Sequence, residues 1–206
     1  MTYELCNIGD YTETQFGAMY RAAAPERQAR ADKFKHEDDR KRCLCADMLA
    51  RRMLAEAANV APEEVAFTYG EKGKPCANVP LHFNVSHAGA YVLCAVADAP
   101  IGADIEQIKP FRAGMVARYF TAAEAAHIWG NSPPLDGNVT DADTCARFYR
   151  VWTAKEAYVK MTGTGISTNL TAVCYDPVAQ TVCGIGLSTP DAPEGYVISI
   201  LKSDLA

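Results

Sequence analysis

The sequence has no long apolar run. Its longest clearly apolar stretch, AYVLCAVA at residues 90–97, is too short to span a bilayer, so no membrane contact is expected. The first residues, MTYELCNIGD, lack a basic start and an apolar core, which argues against a secretory signal and for a cytoplasmic protein. There is no Cys-x-x-Cys among the eight cysteines. Scattered through a chain large enough to fold without staples, they read as reduced packing thiols rather than a disulfide framework or a zinc site. Low-complexity tracts and long linkers are missing too. So is an excess of basic charge, since 25 Asp+Glu outweigh 20 Lys+Arg for a net −5.

What is present is an ordinary soluble composition, 49% hydrophobic and 22% charged over 206 residues, enough for one large domain or two small ones. The net charge hides an asymmetry. Residues 21–52 carry ten Lys+Arg against six Asp+Glu, so that segment is +4 and the remainder −9. A positive zone on an acidic protein suggests a local anion site, with a solvated helix face as the plainer reading.

Periodicity predicts a long helix over 36–58, a short one started by Pro62, and a strand–turn–strand–turn stretch over 65–90. Two strands, 91–97 and 101–106, follow across a short turn. The second half predicts helices near MVARYF and over 122–129, then a polar loop. FYRVWTAKEAYVKM is the next helix, and TAVCYD, TVCGIGLS and YVISILK are strand candidates. Helices followed by antiparallel-looking strands in each half predict an α+β fold of two similar lobes with a pseudo-two-fold relation, divided as 1–102 and 103–206 with the active site between them.

Four places could bring charges together. In IGADIEQI, period two puts Asp104 and Glu106 on one face of a strand, where two carboxylates can share a divalent cation. NVSHAG holds Ser86 and His87 in a turn after a strand, and GKP places Lys74 and Pro75 in another. Both present donors that suit phosphate. In WTAKEAYVK, Lys155 projects from an apolar stripe containing Phe148, Val151, Trp152, Tyr158 and Val159, with Glu156 and Lys160 one turn apart. Taken singly, each reads more simply as an exposed strand face, a structural turn, or a helix whose lysine snorkels.

FNVSHAG (83–89), IGADIE (101–106) and WTAKEAYVKMTGTGIS (152–167), in this order and at these separations, resemble the Sfp-type 4'-phosphopantetheinyl transferases of the Trp…Lys-Glu-Ala branch. PERQARADKFKHEDDRKR (25–42), GKP and RYFTAAE (118–124) extend the resemblance over most of the chain. It departs at Ala103, where the family usually has a branched residue, and in a tail after GIGLS that is shorter than in larger relatives.

The resemblance implies an Mg²⁺-dependent enzyme, with Mn²⁺ as an alternative ion, that moves 4'-phosphopantetheine from coenzyme A to a serine of an apo acyl or peptidyl carrier protein and releases 3',5'-ADP. Asp104, Glu106 and Glu156 match its metal ligands. Glu156 is implied as base and Lys160 as the group on the leaving phosphate, with Asp104 beside them. Arg27, Arg30, Arg42, Lys74, Pro75, Ser86, His87, Lys155 and Lys160 match its coenzyme A contacts. Carrier docking is expected on KPFRAGMVARYF, through Lys109, Arg112, Met115 and Arg118, on a monomer that binds no nucleic acid. The competing reading is a non-catalytic polyanion-binding module using residues 21–52, which leaves the three carboxylates without a task.

Overall fold

A computed structural model of the chain describes residues 1–70, 73–130, 136–165 and 169–203. Part of the polar loop expected after residue 129, and residues 166–167 of WTAKEAYVKMTGTGIS, lie outside the described residues. The chain opens with β1 (Thr2–Asn7), α1 (Glu13–Ala22), α2 (Pro25–Ala31) and α3 (Glu37–Ala58). Then come β2 (Phe67–Tyr69), β3 (Pro75–Ala77), β4 (His82–Ala88), β5 (Tyr91–Ala97) and β6 (Ile101–Gln107). β7 (Phe111–Arg112), α4 (Gly114–Tyr119), α5 (Ala122–Trp129), β8 (Asn138–Val139) and α6 (Ala142–Thr162) follow. The last strands are β9 (Tyr175–Asp176), β10 (Thr181–Val182), β11 (Ile185–Ser188) and β12 (Tyr196–Lys202).

Two antiparallel sheets organise these elements, one of order β1-β5-β4 and one of order β6-β12-β11-β10-β9. The fold is α+β, as expected. The division expected between residues 102 and 103 falls inside β6, which pairs with β12 from Ile101 to Gln107.

Alternation explains why β5 is buried almost throughout. Val92, Cys94 and Val96 face α3, whose Leu44, Leu49, Ala50, Met53 and Leu54 complete one core. Leu93, Ala95 and Ala97 face the other way, onto Ile101, Ala103 and Ile105 of β6 and Ile198 and Ile200 of β12. The two sheets therefore share an apolar layer through β5, a strand covered on both faces.

α3 starts with Glu37, Asp38 and Asp39 in its first turn, where negative charge complements the helix dipole. It stops at Asn59 in the left-handed region (φ 55°), which asparagine tolerates. α6 begins six residues before the predicted stretch because Asp141 caps it, accepting from the Thr144 amide at 2.8 Å. Its stripe of Phe148, Val151, Ala154 and Ala157 is buried against β12 and α5. Full burial of Phe148 and Val151 stabilises the fold by about 1.5–3 kcal/mol each.

Contact between α6 and β6 is unusually close at Gly102. A Cβ placed there would lie 1.8 Å from the Ala157 carbonyl oxygen and 2.5 Å from the Met161 nitrogen. Only glycine permits this approach, and it sets the helix that bears Glu156 and Lys160 directly against the strand that bears Asp104 and Glu106.

Candidate active site

The site is built where β4, β6 and α6 meet. Asn84 of β4 accepts from the Ala103 amide at 3.1 Å, pinning the end of the first sheet to the first strand of the second. Two residues on, Ser86 Oγ donates to Asp104 Oδ1 at 2.7 Å. Lys160 Nζ donates to the same carboxylate oxygen at 2.6 Å and to Ser86 Oγ at 2.8 Å. Asp104 is buried, and its other oxygen, Oδ2, is buried with no hydrogen-bond partner.

Glu106 and Glu156 are half-buried in the field of this carboxylate. Desolvation first, and Asp104 second, push both above the ordinary glutamate value. Among the described residues no three metal-binding side chains stand at ligand spacing. In the arrangement seen, Lys160 supplies the positive charge beside Asp104. The donor set nevertheless suits a hard divalent cation. It offers carboxylate oxygens only, one of them buried and partnerless, and Asp104 disfavours the charge of both glutamates.

Two cavities that share Pro75 and Val85 lie on this side of the protein, one of them lined by members of the cluster. One, of about 180 Å³, is lined by Arg27, Arg30, Pro75 and His87 over a floor of Phe67, Tyr69 and Phe83. Partial desolvation, then the charges of Arg42 and Lys160, lower the His87 pKa, so its imidazole is neutral near pH 7. The other, of about 220 Å³, is lined by Lys74, Asn84, Glu156, Lys160 and Gly163. Lys74 therefore opens on a different space from His87. It reaches across to donate to the Met161 carbonyl at 2.7 Å, at the end of α6, and desolvation lowers its pKa.

Most of the basic segment over 21–52 is neutralised within the fold. Arg27 and Arg51 share buried Asp47, Arg40 pairs with Asp32, Lys41 with Glu13, Arg42 with Asp39, and Arg52 with Glu4 and Glu56. Arg42 also donates to the Gly89 carbonyl at 2.5 Å, at the turn that follows His87.

Lys155, expected among the coenzyme contacts, is wholly buried. Its Nζ donates to Glu124 Oε2 at 2.5 Å and to the carbonyls of Leu170 and Tyr119 at 3.0 and 3.1 Å. Glu124 is the residue that sequence reasoning missed, although Thr121 three positions earlier signals a capping box, which the structure contains. In the expected docking stretch, Lys109, Arg112 and Arg118 are exposed and Met115 is half-buried. Phe111 and Val116 are buried, Phe111 stacking on Phe148 at 3.9 Å between ring centroids, so the apolar part of that stretch turns inward.

Comparison with known proteins bears directly on this geometry. Residues 100–198 match the family described as the 4'-phosphopantetheinyl transferase superfamily, and residues 10–99 match the one described as 4'-phosphopantetheinyl transferase, N-terminal. The chain is 31% identical over 166 residues to 4'-phosphopantetheinyl transferase HetI of Nostoc sp., covering 77% of this chain and 67% of that protein. The chain belongs to the 4'-phosphopantetheinyl transferase superfamily. Other members include a 4'-phosphopantetheinyl transferase of Bacillus subtilis, 35% identical over 154 residues, and psf-1 of Bacillus pumilus, 36% identical over 149 residues. Those matches cover 74% and 71% of this chain but only 65% and 60% of the two relatives, so the chain spans less than two thirds of their length. In this superfamily member the two matched families meet between residues 99 and 100, at the turn leading into β6.

Proposed function

We propose that this chain transfers the 4'-phosphopantetheine group of coenzyme A to a serine of an apo acyl or peptidyl carrier protein, with Mg²⁺ (or Mn²⁺), releasing 3',5'-ADP. The observation that carries the reading is the buried Asp104, one oxygen shared by Ser86 and Lys160 and the other without a partner. Its partner Lys160 lines one cavity with Lys74 and Glu156, and that cavity shares Pro75 and Val85 with the one lined by Arg27, Arg30 and His87. Asp104, Glu106 and Glu156 would hold the cation. Bound there, it supplies charge neutralisation for the pyrophosphate.

The remaining work falls to the side chains. Glu156, raised above its ordinary pKa chiefly by desolvation, is suited to take the proton of the carrier serine. The serine oxygen bonds to the β-phosphorus as the bond from that phosphorus to the bridging oxygen breaks, and the electron pair leaves on 3',5'-ADP. Lys160 meets the charge on the departing phosphate, having Ser86 and Asp104 as its resting partners. The cavity of Arg27, Arg30, Pro75 and His87, with Arg42 beside it, takes the nucleotide end and its 3'-phosphate, and Lys74 serves the pyrophosphate side. Exposed Lys109, Arg112 and Arg118 with Met115 form the carrier-docking face of a monomer. A polyanion-binding module is disfavoured, since six of the ten basic residues in 21–52 are already paired.

Incubation with coenzyme A, Mg²⁺ and a panel of apo carrier proteins, read by mass spectrometry, tests the proposal. A phosphopantetheine mass gain on a carrier serine is expected. Its absence with every carrier overturns the reading, and undiminished transfer after chelation of divalent metal overturns the role of the three carboxylates.

A further inference from the structure

We propose that the buried Glu124–Lys155 pair is a positioning device that sets the rotation of α6, and thereby places Glu156 and Lys160 against Asp104. The proposal rests on the transferase reading and assigns neither residue a contact with substrate.

Saturation of the pair is the first observation. Lys155 is 0% exposed, and its three N–H donors meet three acceptors, Glu124 Oε2, Tyr119 O and Leu170 O. Its ammonium also sits 4.9 Å from the centroid of the Phe120 ring. Glu124, 1% exposed, is equally occupied. Its Oε2 accepts from the Thr121 amide and its Oε1 from the Tyr175 amide, both at 2.8 Å. One ion pair therefore ties the end of α4, the first turn of α5, the middle of α6, the 170–172 turn and the start of β9.

Helix geometry supplies the second observation. Glu156 follows Lys155 by 100° of rotation and Lys160 lies a further 40° round, so fixing the direction of Lys155 fixes theirs. Across β6, Gly102 sets the depth of α6 but has no side chain to set its rotation. Stability alone accounts poorly for such a pair, because two charges out of water gain little over an apolar pair of the same shape. What the pair provides that an apolar contact would not is direction, through hydrogen bonds at fixed angles.

The test compares Lys155→Met, Glu124→Gln and the double variant with the wild-type protein, measuring melting temperature, coenzyme A affinity by calorimetry, and kcat and KM for the carrier. Each single variant leaves one buried group unpaired and is expected to melt earlier. The double variant leaves no unpaired charge, and Glu124→Gln retains a carbonyl oxygen for one of the two amides, so much of the melting temperature is expected to return. Its kcat is nevertheless expected to stay about tenfold or more below wild type, with coenzyme A affinity and carrier KM within about twofold, the signature of misplaced reacting groups. Recovery of kcat along with the melting temperature would show a merely structural role and overturn the proposal. If the double variant fails to fold, Lys155→Met assayed well below its own melting temperature decides instead, and a wild-type kcat in that folded protein would overturn the proposal equally. A wild-type protein that transfers nothing to any carrier would bring down the transferase reading itself, and this inference with it.

Discussion

Glu156 is asked to serve as a metal ligand and as a base, and the two duties separate on substitution. Glu156→Gln keeps size and hydrogen bonding while removing charge and basicity. Turnover is expected to fall at least about a hundredfold, with coenzyme A affinity changed far less, in steady-state kinetics set beside calorimetry. Its raised pKa, shared with Glu106, has a second consequence. A carboxyl whose folded pKa lies above its unfolded value favours the fold while neutral. That contribution is present below the ordinary 4.5 and is lost as pH rises through the higher folded range. Ionising either group beside Asp104 therefore comes at a cost to stability, chiefly through desolvation. Adding Mg²⁺ is expected to raise the melting temperature at neutral pH and to do much less in mild acid or in Glu106→Gln. Equal shifts in all three conditions would place the ion elsewhere.

At the 3'-phosphate end, Arg42→Ala is expected to narrow the preference for coenzyme A over dephospho-coenzyme A. A lost charge-assisted bond, about 1.5–3 kcal/mol, is felt only by the ligand that carries the matching charge. An unchanged ratio would move that phosphate away from Arg42. How far such residues can be read from sequence depends on the range of their partners. Alternation put Asp104 and Glu106 on one face of a strand, and both do lie on β6. Lys155 could not be read so, because its meaning lies in Glu124, far off in the chain, and an apolar helix face with one lysine reads alike whether that lysine points at a phosphate or a carboxylate.

At the scale of elements, the tightest constraint is the seat of α6 on β6. Gly102→Ala would drive a methyl group into the backbone of Ala157 and Met161. Overpacking of this kind costs about 1–3 kcal/mol, and more where backbone must move. A lower melting temperature and a larger loss of kcat than of coenzyme A affinity are expected. The elements that the sequence discloses well are those with long, unbroken periodicity. α3 and β5 lie within a residue of their predicted ends, since an apolar stripe or run bounded by turn formers leaves little choice. The short elements are less legible. TAVCYD yields only two strand residues because Asn169 caps a tight turn over 170–172. TVCGIGLS splits into β10 and β11 because Cys183 and Gly184 both take positive φ and reverse the chain. β1 and α1 gave no prediction at all. β1 owes its place to pairing with β5 along its whole length, a contact that no local pattern announces.

For the whole molecule, the arrangement leaves three exposed cations, Lys109, Arg112 and Arg118, just beyond the strand that carries the carboxylates, on a protein of net charge −5. Replacing Arg112 by Glu together with Met115 by Ala is expected to raise the carrier KM several-fold while leaving coenzyme A affinity near wild type. The wild-type carrier KM is expected to climb with salt as the encounter is screened. A carrier KM unmoved by both would relocate docking to another face. The shared apolar layer around β5 has its own bearing on how the protein comes to exist. Asp104 and Glu106 lie on β6, yet the neighbour that closes β6 within its sheet is β12, whose Lys202 meets Ile101. During synthesis the residues of β6 emerge long before those of β12, so the nascent chain carries these carboxylates on an open strand edge until β12 has been made. Chains truncated before Tyr196 should bind a chaperone holdase and remain inactive. A synthetic peptide spanning 196–202, supplied in trans, is the piece that should close the edge and switch them on.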